Sequence, residues 1–190
     1  MYQISIEDFQ MDGILVDNNM KYKITFKNQF KAIEFLIYGS ILFFGLGYFL
    51  YRTEGLSRDL ISFFSVYYII LLIPTILIHF EYYLRNKNDL FIIDLHQKII
   101  SYNTTLSIHF SEIEKIVLYM PPVWHRKGSI RFLPFEDYRY AAIELKSGKR
   151  HIITCLMIYD LEKIMSTIPG VTIQKKKRLI ASPFLDQLLF

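Results

Sequence analysis

The sequence predicts an α+β membrane protein: a two-helix transmembrane hairpin, then an antiparallel β-sandwich or barrel closed by a C-terminal helix. Three observations predict it. Two apolar runs, Phe35 to Tyr51 and Leu60 to Phe80, are separated only by Arg52 to Asp59. Residues 90–155 fall into short apolar stretches with turn signals between them. Leu161, Ile164, Met165 and Ile168 then recur at the spacing of one helix face.

A helix rises about 1.5 Å per residue, so about 20 residues cross a hydrocarbon core of about 30 Å. The second run holds 21 residues without Asp, Glu, Lys or Arg, and the first holds 17. Tyr38, Tyr48, Tyr51, Tyr82 and Tyr83 crowd their ends, where amphipathic rings favour the water interface. Pro74 removes a backbone donor inside the second run. The break is too short for a domain, so the helices are antiparallel and both termini share one side. Lys21, Lys23, Lys27, Lys31, Arg85, Lys87 and Lys98 flank the pair, against Arg52 and Arg58 in the break. This bias places both termini in the cytoplasm of an inner-membrane, multi-pass protein.

Composition agrees. The chain of 190 residues is 52% hydrophobic and 16% aromatic, with mean hydropathy +0.24. Its net charge is +4, but Lys175, Lys176, Lys177, Arg178 and Asp186 give +3 to the last twenty residues. A broad nucleic-acid-binding face is therefore excluded as an expectation. The single cysteine, Cys155, allows neither an internal disulfide nor a cysteine cluster. The first thirty residues are polar, so no signal peptide is expected and the first helix serves as its own insertion signal.

Residues 1–31 read as a short β-hairpin segment on the cytoplasmic side. Ile14 to Val16 leads into Asp17-Asn18-Asn19, and Tyr22, Ile24 and Phe26 alternate with Lys23, Thr25 and Lys27. The transmembrane hairpin occupies 32–86, with helices over about 33–51 and 60–84. Glu81 and Arg85 form an i,i+4 pair near its end, and Asn86, Asn88 and Asp89 break it. A β domain covers 88–170. Its strands are Leu90 to Asp94, Lys98 to Asn103, Thr105 to Phe110, Ile113 to Met120, Tyr140 to Leu145 and Arg150 to Leu156, with an edge strand at Gly128 to Leu133. Ser111 and Glu114 have capping-box spacing, and Ser147-Gly148 signals a tight hairpin. Asp160 caps the closing helix and Pro169-Gly170 stops it. A basic and apolar tail, 171–190, follows. Whether the first segment completes the later sheet stays open.

The stretches LFIIDLHQKIISYN, IHFSEIEKIVLY and YAAIELKSGKRHIITCL running into YDLEKIMSTI resemble bacterial pleckstrin-homology-like domains. A two-helix membrane hairpin ahead of such a domain is similar to bacterial membrane proteins of the YcxB-like group. The resemblance implies a binding and assembly module, not an enzyme. Phosphoinositide-binding relatives use several basic residues between the first two strands, where this chain has only Leu95-His96-Gln97-Lys98.

Candidate surface residues are few. Lys175, Lys176, Lys177 and Arg178 suit an anionic leaflet, where each cation contributes about 1 kcal/mol; a solvated charge run is the competing reading. Trp124, Arg126 and Lys127 suit a membrane interface or a partner groove, against a loop whose Trp folds back on its own domain. The apolar end, Leu179 to Phe190, is a docking or membrane-surface segment, or packs on its own domain. His79, His96, His109, His125 and His151 show no ligand spacing, and Cys155 reads as a small core residue. No catalytic, metal or cofactor signature is present.

The expected function is that of a non-enzymatic integral membrane protein. It would present a cytoplasmic domain to a protein partner or to copies of itself, with anionic lipid headgroups as a further ligand. The alternative is an accessory subunit of a transporter or membrane enzyme, in which the helices make the contacts.

Overall fold

The computed structural model describes residues 14–16, 19–53, 55, 57–103, 105–125 and 133–189. Two strands come first, β1 (Ile14–Val16) and β2 (Asn19–Tyr22), paired antiparallel. Helices α1 (Phe26–Thr53) and α2 (Arg58–Asn86) follow. Then come β3 (Phe91–Asp94), β4 (Ile99–Tyr102), β5 (Leu106–His109), β6 (Ile113–Met120), β7 (Tyr140–Leu145) and β8 (Arg150–Thr154). The chain ends with α3 (Leu161–Met165), β9 (Thr172–Lys177) and α4 (Pro183–Leu189).

The strands form two sheets in the orders β1-β2-β3-β4-β5 and β8-β7-β6-β9. The sheets remain separate, so the architecture is an open pair, not a barrel. β2 pairs with β3, Tyr22 opposite Phe91 and Asn19 opposite Asp94. The segment before the helices thus belongs to the later sheet, and the helix pair is inserted between two adjacent strands. Successive residues of β6 and β7 are buried, because both faces of that sheet are covered. Ile93, Ile100 and Ile108 from one sheet join Ile116, Leu118, Ile143 and Ile153 from the other in one core.

Several expectations need correction. The alternation Tyr22 to Lys27 is not one strand. It ends at Tyr22, and Thr25 Oγ1 accepts from Asn28 N at 3.2 Å to open α1. Asn28 and Ala32 are buried against the domain, so the helix begins where the domain covers it. The cap before β6 uses other partners: His109 N donates to Glu112 Oε2 at 3.2 Å, and Ser111 N to His109 Nδ1 at 3.4 Å. The closing helix is only Leu161–Met165, with no side-chain bond from Asp160, although Ile168 beyond it is still buried.

That helix does not end the domain. Residues 172–177 run parallel to β6, Lys115 opposite Thr172 and Met120 opposite Lys177. The basic run is therefore mostly an edge strand. Gly170, at φ 75°, turns the chain into it, and Gly148, at φ 81°, turns β7 into β8. The turn at Asp17-Asn18 and nearly all of the Gly128 to Leu133 edge strand lie outside the described residues.

The helix pair divides into two parts. Toward the Arg52 to Asp59 break, the side chains are largely exposed and apolar, and both helices are long and apolar enough to cross a membrane. The inner contact there is small. The Ser40 and Tyr68 hydroxyls meet at 2.6 Å, and Phe43 stacks on Tyr68 at 4.4 Å. Toward the domain, Ile78, Tyr82 and Asn86 are buried.

Candidate binding cleft

Two asparagines fix the helix pair to the domain. Asn28 Nδ2 donates to Met157 O at 3.1 Å. Asn86 spans more: Nδ2 donates to Ile152 O at 3.2 Å and Asp89 Oδ2 at 2.9 Å, while Oδ1 accepts from Thr154 N at 3.1 Å. Tyr82 donates its hydroxyl to Ala181 O, and its ring meets Tyr138 edge-on at 5.5 Å. Glu81 accepts from Ser182 Oγ at 2.6 Å and Phe184 N at 2.7 Å. Its ion pair with Arg85 is present but longer, at 3.7 Å. The carboxylate that spacing assigned to a helical pair thus mainly holds the start of α4.

This clamp leaves a polar cleft of about 380 Å³ where the end of α2, β4, β8 and α4 meet. Its lining includes Arg85, Asp89, Tyr102, Arg150, His151 and Gln187. Asn103, at φ 53°, bends the chain away beside it, and its Oδ1 accepts from Leu90 N at 2.8 Å. The Tyr102 and His151 rings lie 5.0 Å apart. Burial, with the Asp89 charge, raises the Tyr102 hydroxyl well above its ordinary range, so it stays protonated as a donor. Burial, helped by Lys149, lowers His151, so its imidazole is neutral at pH 7.

Behind the cleft, cations gather on one ring. Arg150 Cζ lies 5.2 Å from the Tyr119 centroid, Lys176 Nζ 5.6 Å and Arg178 Cζ 5.7 Å. Tyr140 stacks on Tyr119 at 4.7 Å and donates its hydroxyl to Asp186. Burial first, then that bond, raises the Tyr140 hydroxyl. Arg178 Nε donates to the other Asp186 oxygen at 2.7 Å.

The basic run is thus distributed. Lys176 and Arg178 meet Arg150 at Tyr119. Lys175 pairs with Glu162 at 2.6 Å on an exposed surface, and Lys177 is exposed at the end of β9. Trp124 folds back on its own domain: Nε1 donates to Glu136 O at 2.7 Å, and the Arg139 guanidinium covers its ring at 3.5 Å. Arg126 and Lys127 lie outside the described residues. The apolar end is divided, with Ala181 and Asp186 buried and Phe184 and Leu188 exposed.

Arg85 and Arg150 were missed in the sequence reading. Arg85 is indistinguishable in sequence from a surface ion pair, and Arg150 from a solvated strand start. The cleft's chemistry is that of a donor array with one carboxylate, Asp89. Cys155 is not a nucleophile in this setting, since burial pushes its thiol up to about 11. Among the described residues no group of three or more His, Cys, Asp or Glu side chains could hold a metal.

A family model described as "PH domain" matches residues 21–164, a span that begins inside β2 and includes both long helices. No curated protein and no solved structure matches the chain.

Proposed function

The chain belongs to the PH domain family, and from that premise we propose that it is an integral membrane protein. The helix pair anchors a cytoplasmic, non-catalytic PH-like domain that binds a protein partner or further copies of itself. The observation that carries this reading is the collar of exposed apolar side chains on the far part of the helices. Leu42 is 72% exposed, Phe63 65% and Leu77 64%, whereas Ile78 is 3% exposed on the same helix. Apolar patches on water-soluble monomers rarely exceed a few hundred Å². A bilayer accepts such a collar, and a helix satisfies nearly all of its own backbone there, Pro74 removing one donor. The 21-residue run of α2 measures about 31 Å at about 1.5 Å per residue, matching a hydrocarbon core.

The flanking lysines and arginines favour both termini in the cytoplasm, as in a bacterial inner-membrane protein. PH-like domains act as protein- or lipid-binding modules, and the contact surfaces here are the open sheet edges. β5 is mostly exposed, and β9 leaves one side unpaired. One observation favours the accessory-subunit alternative. An apolar groove of about 710 Å³ opens between the helices near the break, lined by Phe43, Gly47, Leu50, Leu60 and Phe64. A helix of a larger complex would fill it.

The test uses the full chain with Cys155→Ser and single cysteines at Thr53 or Ser147. An impermeant thiol reagent on intact cells is expected to label position 53 alone. Labelling only at 147 inverts the topology, and release of the chain by alkaline carbonate overturns the anchor. Crosslinking in native membranes separates the two modes: contacts through β5 or β9 support the domain reading, and contacts only through Gly47 and Phe64 support the alternative.

A further inference from the structure

We propose that α4 is an interfacial membrane element, its outward face sunk into the bilayer surface beside the end of α2. The proposal rests on the reading that the helix pair crosses a membrane, and it adds a second point of contact.

The helix is inside out for a surface that meets water. Its inward residues are Pro183 and Asp186, both buried. Its outward ones are Phe184, Leu185 and Leu188, which are 55%, 39% and 66% exposed. At about 100° per residue, these three fill a continuous arc of about 100° opposite Pro183 and Asp186. A helix on a soluble domain ordinarily turns its apolar stripe to the core and its polar residues to water. Single exposed leucines are common on such domains. Here a whole arc is apolar and a carboxylate takes the inward side.

Polar bonds hold the helix this way round. Asp186 accepts from the Tyr140 hydroxyl and, at 2.7 Å, from Arg178 Nε. Ser182 Oγ accepts from Leu185 N at 3.2 Å and donates to Glu81 at 2.6 Å. Turning the leucines inward would break both Asp186 bonds. The single acidic side chain of α4 is therefore paired and inside, and the outward arc carries no charge.

The point of attachment says what covers that arc. Glu81 accepts from Ser182 Oγ and, at 2.7 Å, from Phe184 N, and it directly follows Phe80, the last residue of the apolar run. Tyr82, next on α2, donates to Ala181 O. α4 thus starts at the level where the apolar run ends. The neighbours of Glu81 on the surface of α2, four residues before and three after, are Leu77 and Leu84, 64% and 46% exposed. The apolar surface of α2 therefore reaches the start of α4. Seven residues make about 10 Å of helix, and interfacial helices sink their apolar face about 5–10 Å into the boundary between headgroups and acyl chains. Gln187, the polar residue beside the arc, borders the cleft with Arg85. A protein partner would not require α4 to stand at the level of Phe80; a bilayer surface does. Contact through α4 as well as the helix pair fixes which side of the domain faces the membrane.

The test places the full chain, with Cys155→Ser, at one copy per nanodisc of phosphatidylcholine, a zwitterionic lipid. Nitroxides are attached to single cysteines. Phe184→Cys, Gln187→Cys and Leu188→Cys report on α4, Ile70→Cys on the middle of α2 and Lys149→Cys on the solvated side of the domain. All five side chains are exposed, so the substitutions leave the fold intact. Relaxation by oxygen, which concentrates in the bilayer, is compared with relaxation by a nickel chelate, which stays in water. Positions 184 and 188 are expected to show a higher oxygen-to-nickel ratio than 149 and a lower one than 70, with 187 shifted toward water. Ratios at 184 and 188 equal to that at 149, while 70 reads as lipid, overturn the proposal and leave the anchor intact. Equal ratios at 184, 187 and 188 overturn the outward arc. Protection of 184 and 188 from both reagents puts protein on that face and overturns the bilayer as its occupant. A water-like ratio at 70 fails the anchor and the proposal with it.

Discussion

The two ends of α2 share one helix and little else. From Leu60 to Leu77 its apolar side chains point mostly outward, and its contact with α1 rests on small features such as the Ser40–Tyr68 hydroxyl pair. From Ile78 to Asn86 one face of the same helix, Ile78, Tyr82 and Asn86, is buried against the domain, with hydrogen bonds reaching β8 and the segment leading into α4. The far part is selected for apolar character without detailed complementarity. The near part depends on particular atoms. Substitutions in the two parts should therefore fail in different ways.

The largest effect is expected at Tyr82, fully buried with its hydroxyl on Ala181 O. Tyr82→Ala should cost about 3–5 kcal/mol of domain stability and leave membrane association unchanged, as read by thermal unfolding and fractionation. Ile70→Arg reverses the pattern. It should oppose insertion by about 2.5–3.5 kcal/mol, and reduce the membrane-bound fraction without lowering the Tm of detergent-solubilised chain. Asn86→Ala leaves Thr154 N and Ile152 O unpaired and should cost about 1–3 kcal/mol, with faster amide exchange at Thr154 as its local sign. Cleavage of the domain unaffected by Asn86→Ala, in limited proteolysis, would remove the rivet from the account. Lys175→Gln should change stability by no more than about 1 kcal/mol, because its Glu162 partner is exposed; a double-mutant cycle with Glu162→Gln checks it. Cys155 should stay unlabelled by a water-soluble maleimide at pH 8. Burial lifts its thiol to about 11, so thiolate is scarce until the pH rises toward that value or the chain unfolds.

The same division explains what the sequence could disclose. The apolar runs and strands such as Ile113–Met120 are written in continuous apolar stretches, which a single chain displays. β9 is not, because Thr172–Lys177 offers one apolar residue, Ile173, and gains its place by parallel pairing with β6. Asn86 looked like a helix breaker, since nothing local distinguishes an asparagine ending a helix from one bonded to strands nearly seventy residues later. Trp124 beside basic residues is compatible in sequence with both a surface anchor and a loop folded back on its domain, and the structure shows the second, its ring covered by Arg139. Arg85 and Arg150 become neighbours of one cleft only after both sheets have formed.

The pairing of β2 with β3 carries a consequence for the order of events at the ribosome. Residues 23–90 must emerge between the two partners, which takes several seconds at about 5–20 residues per second. Until α1 and α2 have come together, β2 has no neighbour on that side. Once they have, their antiparallel ends return the chain to its starting point, and closure costs far less than for a flexible loop of that length. The helix pair thereby acts as a timer. The first sheet cannot be completed ahead of it, and a ribosome-bound chain stalled with Asn86 but not Phe91 clear of the exit tunnel should hold two formed helices and an unprotected β2.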